Sequence, residues 1–182
     1  MAVRILARHQ VRVSSWVELV SKEVEWAPGQ QPETYHCFSQ PDYVAILART
    51  RSGLIPIVRQ YRPAVEAYTW ELPAGLVEKG EDPEVACRRE LKEETGLEAE
   101  SVTYLGGYYA DTGRLANRLH AFFVQASDPP TDFMPELHLS VEFVTLERLE
   151  TYIRSGKFQH QLHLGLLALA PLRGVGKSVH IG

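Results

Sequence analysis

The residues best suited to chemistry lie between Gly75 and Leu97, in the stretch GLVEKGEDPEVACRRELKEETGL, which holds seven acidic side chains. Glu90, Glu93 and Glu94 follow one another at the spacing i, i+3 and i+4. On a helix this spacing places all three carboxylates on one face. Like charges held so close together either repel one another or share a cation.

Two interpretations of this acidic face are open. In the first, the face is solvated and neighbouring basic residues offset its charge, namely Lys79, Arg88, Arg89 and Lys92. In the second, it holds Mg²⁺, which prefers hard oxygen ligands and commonly combines carboxylates with substrate phosphates. The small Ala86 leaves space above Glu90, and Glu81 just before the helix could orient a ligand or a water. Such a site would neutralise a diphosphate and activate a water for attack on phosphorus.

The flanking residues predict where this helix begins and ends. Asp82 can cap free backbone N–H groups, and Pro83 suits the first helical position. Gly96 is a typical residue just beyond a helix C-terminus. The acidic face is therefore expected on a helix of defined length.

The rest of the chain predicts a domain of α/β (α+β) class. Strand-like and helix-like segments alternate without a regular βαβ rhythm, which favours a mixed sheet covered by helices. Two half-buried strands are predicted within residues 10–26. Further predicted strands are Tyr43–Ala48 and Leu54–Val58, joined as a hairpin by RTRSG, and Val102–Tyr109, Leu119–Val124 and Val141–Leu146. Predicted helices are Leu146–Arg154 and Gln159–Ala170, the latter closed by Pro171, and residues 128–136 form a Pro-rich loop.

Composition excludes several classes of function. The net charge of −4 argues against stable nucleic-acid binding, which needs clustered basic residues. Cys37 and Cys87 form no CxxC motif, so neither a disulfide framework nor a structural zinc site is expected. The N-terminus lacks a secretory signal, and the apolar run Leu162–Leu172 is shorter than the roughly 20 residues that span a bilayer. We expect a cytoplasmic protein without a membrane partner.

Two histidines in the predicted last helix are expected to have no metal-binding role. His160 and His163 are spaced i, i+3 in an apolar segment, without a Glu in the register of a metal site. Packing or surface positions are the expected outcome for both.

Nine positions between Gly75 and Leu97 match a family signature. The pattern G-x5-E-x7-R-E-U-x-E-E-x-G-U, with U aliphatic, resembles the signature of the Nudix hydrolases. The resemblance implies the Nudix fold, a mixed β-sheet between helices with the signature as loop, helix and loop. It also implies hydrolysis of a nucleoside diphosphate linked to another group, dependent on Mg²⁺ or Mn²⁺.

The resemblance also implies roles for residues within the signature. Glu90 and Glu94 would ligate the metal ion, and Glu93 would lie close by or also ligate. Arg89 would have a structural or an orienting role, pairing with a carboxylate of the signature such as Glu81.

The segment IVRQYRPAVEAYTWELPAGLVE resembles one branch of the family, the ADP-ribose and nucleoside diphosphate sugar pyrophosphatases. The similarity covers most of residues 40–170. By this resemblance the Ala74 carbonyl would ligate metal, Arg62 would contact the substrate phosphates and Glu71 would help to hold the substrate. A guanidinium suits phosphate because it donates two parallel hydrogen bonds, although a surface ion pair at a strand end is the alternative for Arg62. The implied products are a nucleoside monophosphate and a sugar phosphate, with ADP-ribose as the leading substrate.

The N-terminal region is implied to take part in assembly. Members of this branch that act on sugar nucleotides are usually homodimers whose N-terminal strands pack against the partner. Residues 1–40 would then serve dimerisation and the substrate site, 41–172 would form the Nudix hydrolase domain, and 173–182 would be a flexible tail. Trp16 and Trp26 are candidates for stacking on a nucleobase, and a core or interface position is the alternative for each.

One position departs from the ADP-ribose pyrophosphatases. Thr112 stands sixteen residues after Gly96, where those enzymes carry a proline. In the same loop, Arg114, Asn117 and Arg118 could contact a sugar, a second phosphate or a base, or could simply cap the sheet. ADP-ribose therefore leads within a wider class of substrates.

The catalytic base is expected outside the signature. In this branch it usually comes from an acidic residue in the loop before the last strand, where Glu136 is the best-aligned candidate. Glu93 is the alternative for orienting the water. Two rival functions remain: a Nudix hydrolase for another nucleotide, such as a dinucleotide cofactor or an RNA cap, and a regulator that senses ADP-ribose without cleaving it.

Overall fold

The computed structural model describes residues 2–175, and these form strands and three helices in the order of the chain. The strands are β1 Arg4–Arg12, β2 Glu18–Glu25, β3 Glu33–Ser39, β4 Tyr43–Thr50, β5 Ile55–Arg62, β6 Ala67–Glu71, β7 Ala74–Leu76, β8 Ala99–Tyr109, β9 Arg118–Ala126 and β10 Leu139–Val144. The helices are α1 Pro83–Thr95, α2 Leu146–Arg154 and α3 Gln161–Leu172. Within the described part of the chain, every helix is too short or too polar to span a membrane.

The chain divides into two compact units. The first unit contains the residues up to Asp42 together with Tyr109–Arg118. Its three-stranded sheet has the order β1, β2, β3, and both pairings are antiparallel. Almost all of β1 is exposed, whereas β2 carries the buried Val20 and Val24. The second unit contains Tyr43–Tyr108 and the chain from Leu119 onward.

The second unit contains two sheets. One has the strand order β10, β5, β6 and is antiparallel throughout. The other has the order β7, β4, β9, β8, in which β4 pairs parallel to β9 and antiparallel to β7. The predicted mixed sheet is therefore confirmed.

Strand β4 shows why helices cover this sheet on both faces. Its side chains alternate, and both faces are buried. Val44 and Ile46 belong to an apolar cluster that includes Leu91 of α1. Ala45 and Leu47 belong to a second cluster, which includes residues of α2 and α3.

The predicted hairpin between the strands now called β4 and β5 is wrong. A tight turn does join them, since Thr50 N–H donates to the Leu54 carbonyl at 2.9 Å. The two strands nevertheless belong to different sheets, because β4 pairs with β7 and β9 while β5 pairs with β6 and β10. Local turn residues identify the reversal of the chain, but ladder partners are chosen by burial of both strand faces.

Element boundaries outside the signature also differ from the prediction. Strands β3, β6 and β7 were not predicted, because they are short or polar. Helix α3 continues past the predicted stop and contains Pro171 in its last turn. Of the predicted flexible tail, Arg173 donates to the Tyr108 hydroxyl at 3.0 Å, and residues 176–182 lie outside the described part of the chain.

Candidate functional site

Helix α1 has the predicted ends. Asp82 Oδ1 accepts a hydrogen bond from Glu84 N–H at 2.8 Å, and Pro83 occupies the first turn. Gly96 adopts a left-handed φ of 73° and donates its N–H to the Lys92 carbonyl. One face of the helix carries the buried residues Ala86, Cys87, Leu91 and Thr95. With that face fixed in the core, the carboxylate positions of the helix are fixed as well.

Glu94 is the carboxylate whose ionisation burial opposes most clearly. Its Oε2 accepts the Ala74 N–H at 3.0 Å, which joins α1 to the start of β7. Burial raises the pKa of Glu94 to about 8, and the nearby charge of Glu90 adds to the rise. The protein thus holds a carboxylate without enough positive charge to favour its ionised form.

Glu90 lies directly against the backbone of β7. A Cβ added to Gly75 would lie 1.9 Å from Glu90 Cδ, so only glycine leaves room for this carboxylate. Burial also raises the pKa of Glu90, although a hydrogen bond from Arg89 opposes the shift. Gly75 therefore has a spatial role that the sequence pattern does not explain.

Arg89 organises the outer part of the acidic face. Its Nε and Nη2 donate to the two oxygens of Glu81 at 3.0 Å each. Its Nη1 donates to Glu90 at 2.6 Å and to Glu93 at 3.1 Å, and Nη2 also donates to the Leu76 carbonyl at 3.0 Å. These bonds raise the pKa of Arg89 further, the pair with Glu81 first. The guanidinium therefore holds three carboxylates in a fixed arrangement.

Arg62 and Glu71 form a second charged cluster in the same unit. Arg62 Nε and Nη2 donate to Glu71 Oε1 and Oε2 at 2.9 and 2.6 Å, and the Thr69 hydroxyl donates to Oε1 at 2.5 Å. Burial opposes ionisation of Glu71, but hydrogen bonds from Arg62 and Thr69 outweigh it and bring its pKa to about 2. This carboxylate is charged and already paired within the protein.

Two histidines lie beside Glu71. His160 Nε2 is 4.0 Å from Glu71 Oε2, and the His160 and His163 rings stack with centroids 3.8 Å apart. His163 is 1% exposed, and its Nδ1 accepts the Leu72 N–H at 3.1 Å. Burial lowers the pKa of His163 to about 3 and also lowers that of His160. The predicted packing position is correct for His163, but the neighbourhood of Glu71 was not predicted.

One pocket of the second unit, with a volume of about 260 Å³, lies beside these groups. Its lining residues are Tyr43, Arg62, Ala74, Gly75, Leu76, His160 and His163. The carboxylates of Glu90 and Glu94 contact two of them, Gly75 and Ala74. The structure therefore brings Arg62, Ala74, Glu90 and Glu94 of the predicted set into one neighbourhood, with Glu71 paired to Arg62 and Glu93 to Arg89.

Other predicted residues lie elsewhere. Glu136 is exposed in the loop before β10, and its carbonyl accepts the Leu139 N–H at 3.1 Å. In the first unit, the Trp16 side chain is 62% exposed, and Trp26 Nε1 donates to Glu33 at 3.1 Å. Arg118 lies over the Tyr109 ring at 4.6 Å.

The donor set of α1 and β7 fits a hard divalent cation. Carboxylate oxygens from Glu90 and Glu94, together with a backbone carbonyl at Ala74, are the ligand types that such ions prefer. Burial raises the pKa of both carboxyls, so a bound cation would stabilise the ionised form that the protein alone disfavours. Arg62 lines the same pocket, and a guanidinium is a group that suits a phosphate.

Comparison with known proteins identifies the family of the chain. The NUDIX domain family matches residues 39–162, which include β4 to β10 and both charged clusters. The chain therefore belongs to the NUDIX family, and the predicted family is confirmed.

Two proteins of known name are similar to part of the chain. It is 34% identical over 122 residues to the ADP-ribose pyrophosphatase of Bacillus subtilis, covering 67% of this chain and 65% of that protein. It is 38% identical over 106 residues to the methanol dehydrogenase activator of Bacillus methanolicus, covering 58% of this chain and 57% of that protein. The chain thus matches less than two thirds of the length of either relative.

A solved structure shows the same fold. A crystal structure described as an ADP compounds hydrolase superimposes with a TM-score of 0.77 at 22% identity, covering 96% of both chains. At this identity the comparison establishes the Nudix fold, which the sequence predicted.

Proposed function

We propose that the protein hydrolyses the pyrophosphate of a nucleoside diphosphate sugar, releasing a nucleoside monophosphate and a sugar phosphate. The observation that carries this proposal is the pocket lined by Arg62 and the Ala74–Gly75 backbone, which the half-buried carboxylates Glu90 and Glu94 contact. A diphosphate needs both a cation site and a guanidinium, and this neighbourhood supplies the side chains for each.

Glu90 and Glu94, with Glu93 and the Ala74 carbonyl, would hold Mg²⁺ or Mn²⁺. When bound, such an ion neutralises phosphate charge and lowers the pKa of a coordinated water. Arg89 keeps Glu90 and Glu93 from turning away from the helix face, because it binds both carboxylates.

Arg62 would bind the diphosphate. Its pair with Glu71 uses Nε and Nη2, so the Nη1 edge remains for a phosphate oxygen. Glu71 holds the guanidinium plane in one orientation, which reduces the entropy lost when a phosphate binds. Glu71 also stays ionised at neutral pH, because its pKa lies near 2.

Glu136 is our candidate for the general base, and Glu93 is the alternative. Both side chains are exposed in the described residues, so each can reach solvent water. Glu136→Gln should lower kcat by about 100-fold or more if Glu136 removes the proton from the attacking water. Asp132→Asn, in the same loop, is the matched control and should leave kcat nearly unchanged. A normal rate for Glu136→Gln would move the role to Glu93.

ADP-ribose is the leading substrate within this class. The name of the Bacillus subtilis relative supports it, and so does the QYR and ELPAG pattern around Arg62 and Glu71. Thr112, in place of a proline, keeps other nucleoside diphosphate sugars open. In the first unit it lines a pocket of about 230 Å³ together with Tyr35 and Arg114, which offers an aromatic ring and a cation for recognition.

Assembly and location belong to the same proposal. Homodimerisation through residues 1–40 is supported by the exposure of β1 and of Val11, Val13 and Trp16. Light scattering after size exclusion should give twice the chain mass.

Trp16→Ala should raise KM without changing kcat if this ring stacks on a base. Arg118→Ala should do the same if its guanidinium binds substrate. A cytoplasmic location stays a prediction.

A substrate panel tests the proposal directly. Purified protein with Mg²⁺ or Mn²⁺ should release AMP and ribose 5-phosphate from ADP-ribose, with products identified by mass spectrometry. Nucleotide sugars, dinucleotides and capped RNA form the comparison set. Absence of hydrolysis across the panel would sink the proposal, and tight ADP-ribose binding without turnover would favour the sensing regulator.

A further inference from the structure

The two residues Leu72 and Pro73 carry the chain from one sheet to the other. Strand β6 ends at Glu71 in the β10, β5, β6 sheet, and β7 begins at Ala74 in the neighbouring sheet. Leu72 is fully buried, so its backbone N–H needs a partner away from water. That partner is a side chain, His163 Nδ1, at 3.1 Å.

Both ends of this crossing segment carry groups of the proposed site. Glu71, at one end, holds Arg62 with two hydrogen bonds. Ala74, at the other end, donates its N–H to Glu94 at 3.0 Å. Any displacement of the Leu72 backbone would therefore move the phosphate-binding side and the carboxylate side together.

His163 is chemically suited to accept this hydrogen bond at all working pH values. Because Nδ1 accepts, the neutral ring carries its proton on Nε2. Burial, and then the neighbouring His160, lower the pKa of His163 to about 3, so the ring stays neutral. Its Nε2–H has no acceptor among the described protein groups, a cost that an apolar side chain would avoid. Packing alone does not account for a histidine at this position.

A metal centre is the competing interpretation of the same cluster. Ligand atoms of Glu71, His160 and His163 lie within 4.8 Å of one another. The lone pair of His163 Nδ1 is already used by the Leu72 N–H, and Nε2 is protonated. Both Glu71 oxygens accept from Arg62, whose positive charge also opposes a nearby cation. The cluster is therefore better suited to hold the backbone than to bind an ion.

We propose that His163 is a positioning residue, whose hydrogen bond to the Leu72 N–H sets the 71–75 backbone and thereby aligns Arg62 with the carboxylates of α1. The proposal rests on the proposed function only for what is bound at that site. It assigns to the first turn of α3 a role in the activity of a site built by β5, β7 and α1.

Three variants test this role. His163→Leu removes the acceptor at similar volume, and His163→Asn offers an amide oxygen near the Nδ1 position. Leu166→Ala is the control, because Leu166 is equally buried in the same helix but its side chain has no acceptor for the Leu72 N–H. Should His163→Leu fail to fold, His163→Gln replaces it, since its amide oxygen reaches toward the Nε2 position instead.

Amide hydrogen exchange of the metal-free protein is the first measurement. Exchange at Leu72 and Ala74 should accelerate by about tenfold or more in His163→Leu, and remain near the wild-type rate in His163→Asn and Leu166→Ala. Unchanged exchange at Leu72 in His163→Leu would overturn the proposal.

Catalysis and metal binding are the second measurement. His163→Leu should lower kcat by about 10- to 100-fold and weaken Mn²⁺ binding measured by electron paramagnetic resonance, with most of both restored in His163→Asn. Leu166→Ala should lower Tm without these losses. An equal kcat loss in Leu166→Ala, or stoichiometric Zn²⁺ binding lost in both His163 variants, would overturn the proposal. Exchange and Mn²⁺ binding decide the matter even if none of the substrates is hydrolysed.

Discussion

Two glutamates of the second unit, the buried Glu71 and the half-buried Glu94, have pKa values shifted in opposite directions. Burial raises the pKa of both carboxyls. Glu71 receives hydrogen bonds from Arg62 and Thr69 that outweigh burial, and its pKa falls to about 2. For Glu94, burial outweighs the hydrogen bond from the Ala74 N–H, and its pKa rises to about 8.

The difference teaches that partners, not depth, decide the charge of a buried carboxylate here. Glu71 needs no bound cation, because Arg62 of the same chain supplies its counter-charge. Glu94 lies on the face that the protein leaves short of positive charge, which is the condition under which a bound cation gains most. The proposed site thus combines the guanidinium of Arg62, already paired with Glu71, with the face of α1 around Glu94, where positive charge is lacking.

The largest expected effect concerns Glu94, on the face of α1 that lacks positive charge. Glu94→Gln removes a proposed metal ligand and should lower kcat by about 100-fold or more, with weaker activation by Mg²⁺. Stability of the metal-free protein should be retained or rise, since a neutral amide replaces a carboxyl whose charge burial disfavours. Kinetics across a metal titration and thermal unfolding measure the two effects.

Glu84→Gln is the matched control for this prediction. Glu84 lies on the same helix, but it pairs with Arg88 at the surface. Its replacement should change neither kcat nor metal activation by more than about twofold. If Glu84→Gln and Glu94→Gln behaved alike, the contrast between a metal-binding face and a solvated helix would fail.

The second prediction concerns the ion pair between Arg62 and Glu71. Arg62→Met leaves Glu71 buried without its counter-charge, which costs about 3–5 kcal/mol for a fully buried pair. The Arg62 side chain is 39% exposed, so solvent screening reduces the expected loss to about 2–3 kcal/mol. Adding Glu71→Gln should restore most of the stability but not the activity, as urea unfolding and kinetics would report. A double variant as unstable as Arg62→Met would show that lost packing, not the lost charge, is responsible.

The third prediction concerns the histidine beside Glu71. Unfolded His163 takes up a proton below its ordinary pKa of 6.5, whereas the folded ring does so only near 3. The unfolded state therefore binds more protons between these values, and stability falls as pH falls through that window. Between pH 7 and 5 the wild type should lose about 1.5–2 kcal/mol more than His163→Leu in urea unfolding. Parallel losses in the two proteins would mean that His163 is protonated when folded.

The smallest expected effect concerns the fit of Glu90 against β7. Gly75→Ala would place a methyl group 1.9 Å from Glu90 Cδ, forcing the carboxylate aside. We expect the folded state to lose about 1 kcal/mol of stability. The relative loss of kcat should be larger, because Glu90 would be displaced from the position in which Arg89 holds it. Gly165→Ala, in α3 with nothing near its Cβ position, should instead stabilise by up to about 1 kcal/mol. Normal kcat in Gly75→Ala would show that Glu90 can move freely.

Local features of the structure were predictable, and long-range ones were not. The ends of α1 follow from Asp82, Pro83 and Gly96, which act within one turn of the helix. The separation of β4 and β5 into two sheets was missed, because turn residues do not reveal ladder partners. The two histidines were missed as neighbours of Glu71, since 91 residues separate Leu72 from the His163 side chain that it contacts. Thr69 lies only two residues before Glu71, and its hydrogen bond was missed although it is local.

The sequence by itself determined the acidic face, its helix and the family, because spacing along a helix is a local property. It also identified Arg62 and Glu71 as candidates through resemblance. Only the tertiary structure decided that Glu71 would be charged and Glu94 disfavoured as an anion, because their burial and their hydrogen bonds with Arg62 and Ala74 arise only when the strands and α1 pack together. The contact between His163 and the crossing segment was decided in the same way. The buried Leu72 N–H meets His163 Nδ1 only after the two sheets and α3 have packed together.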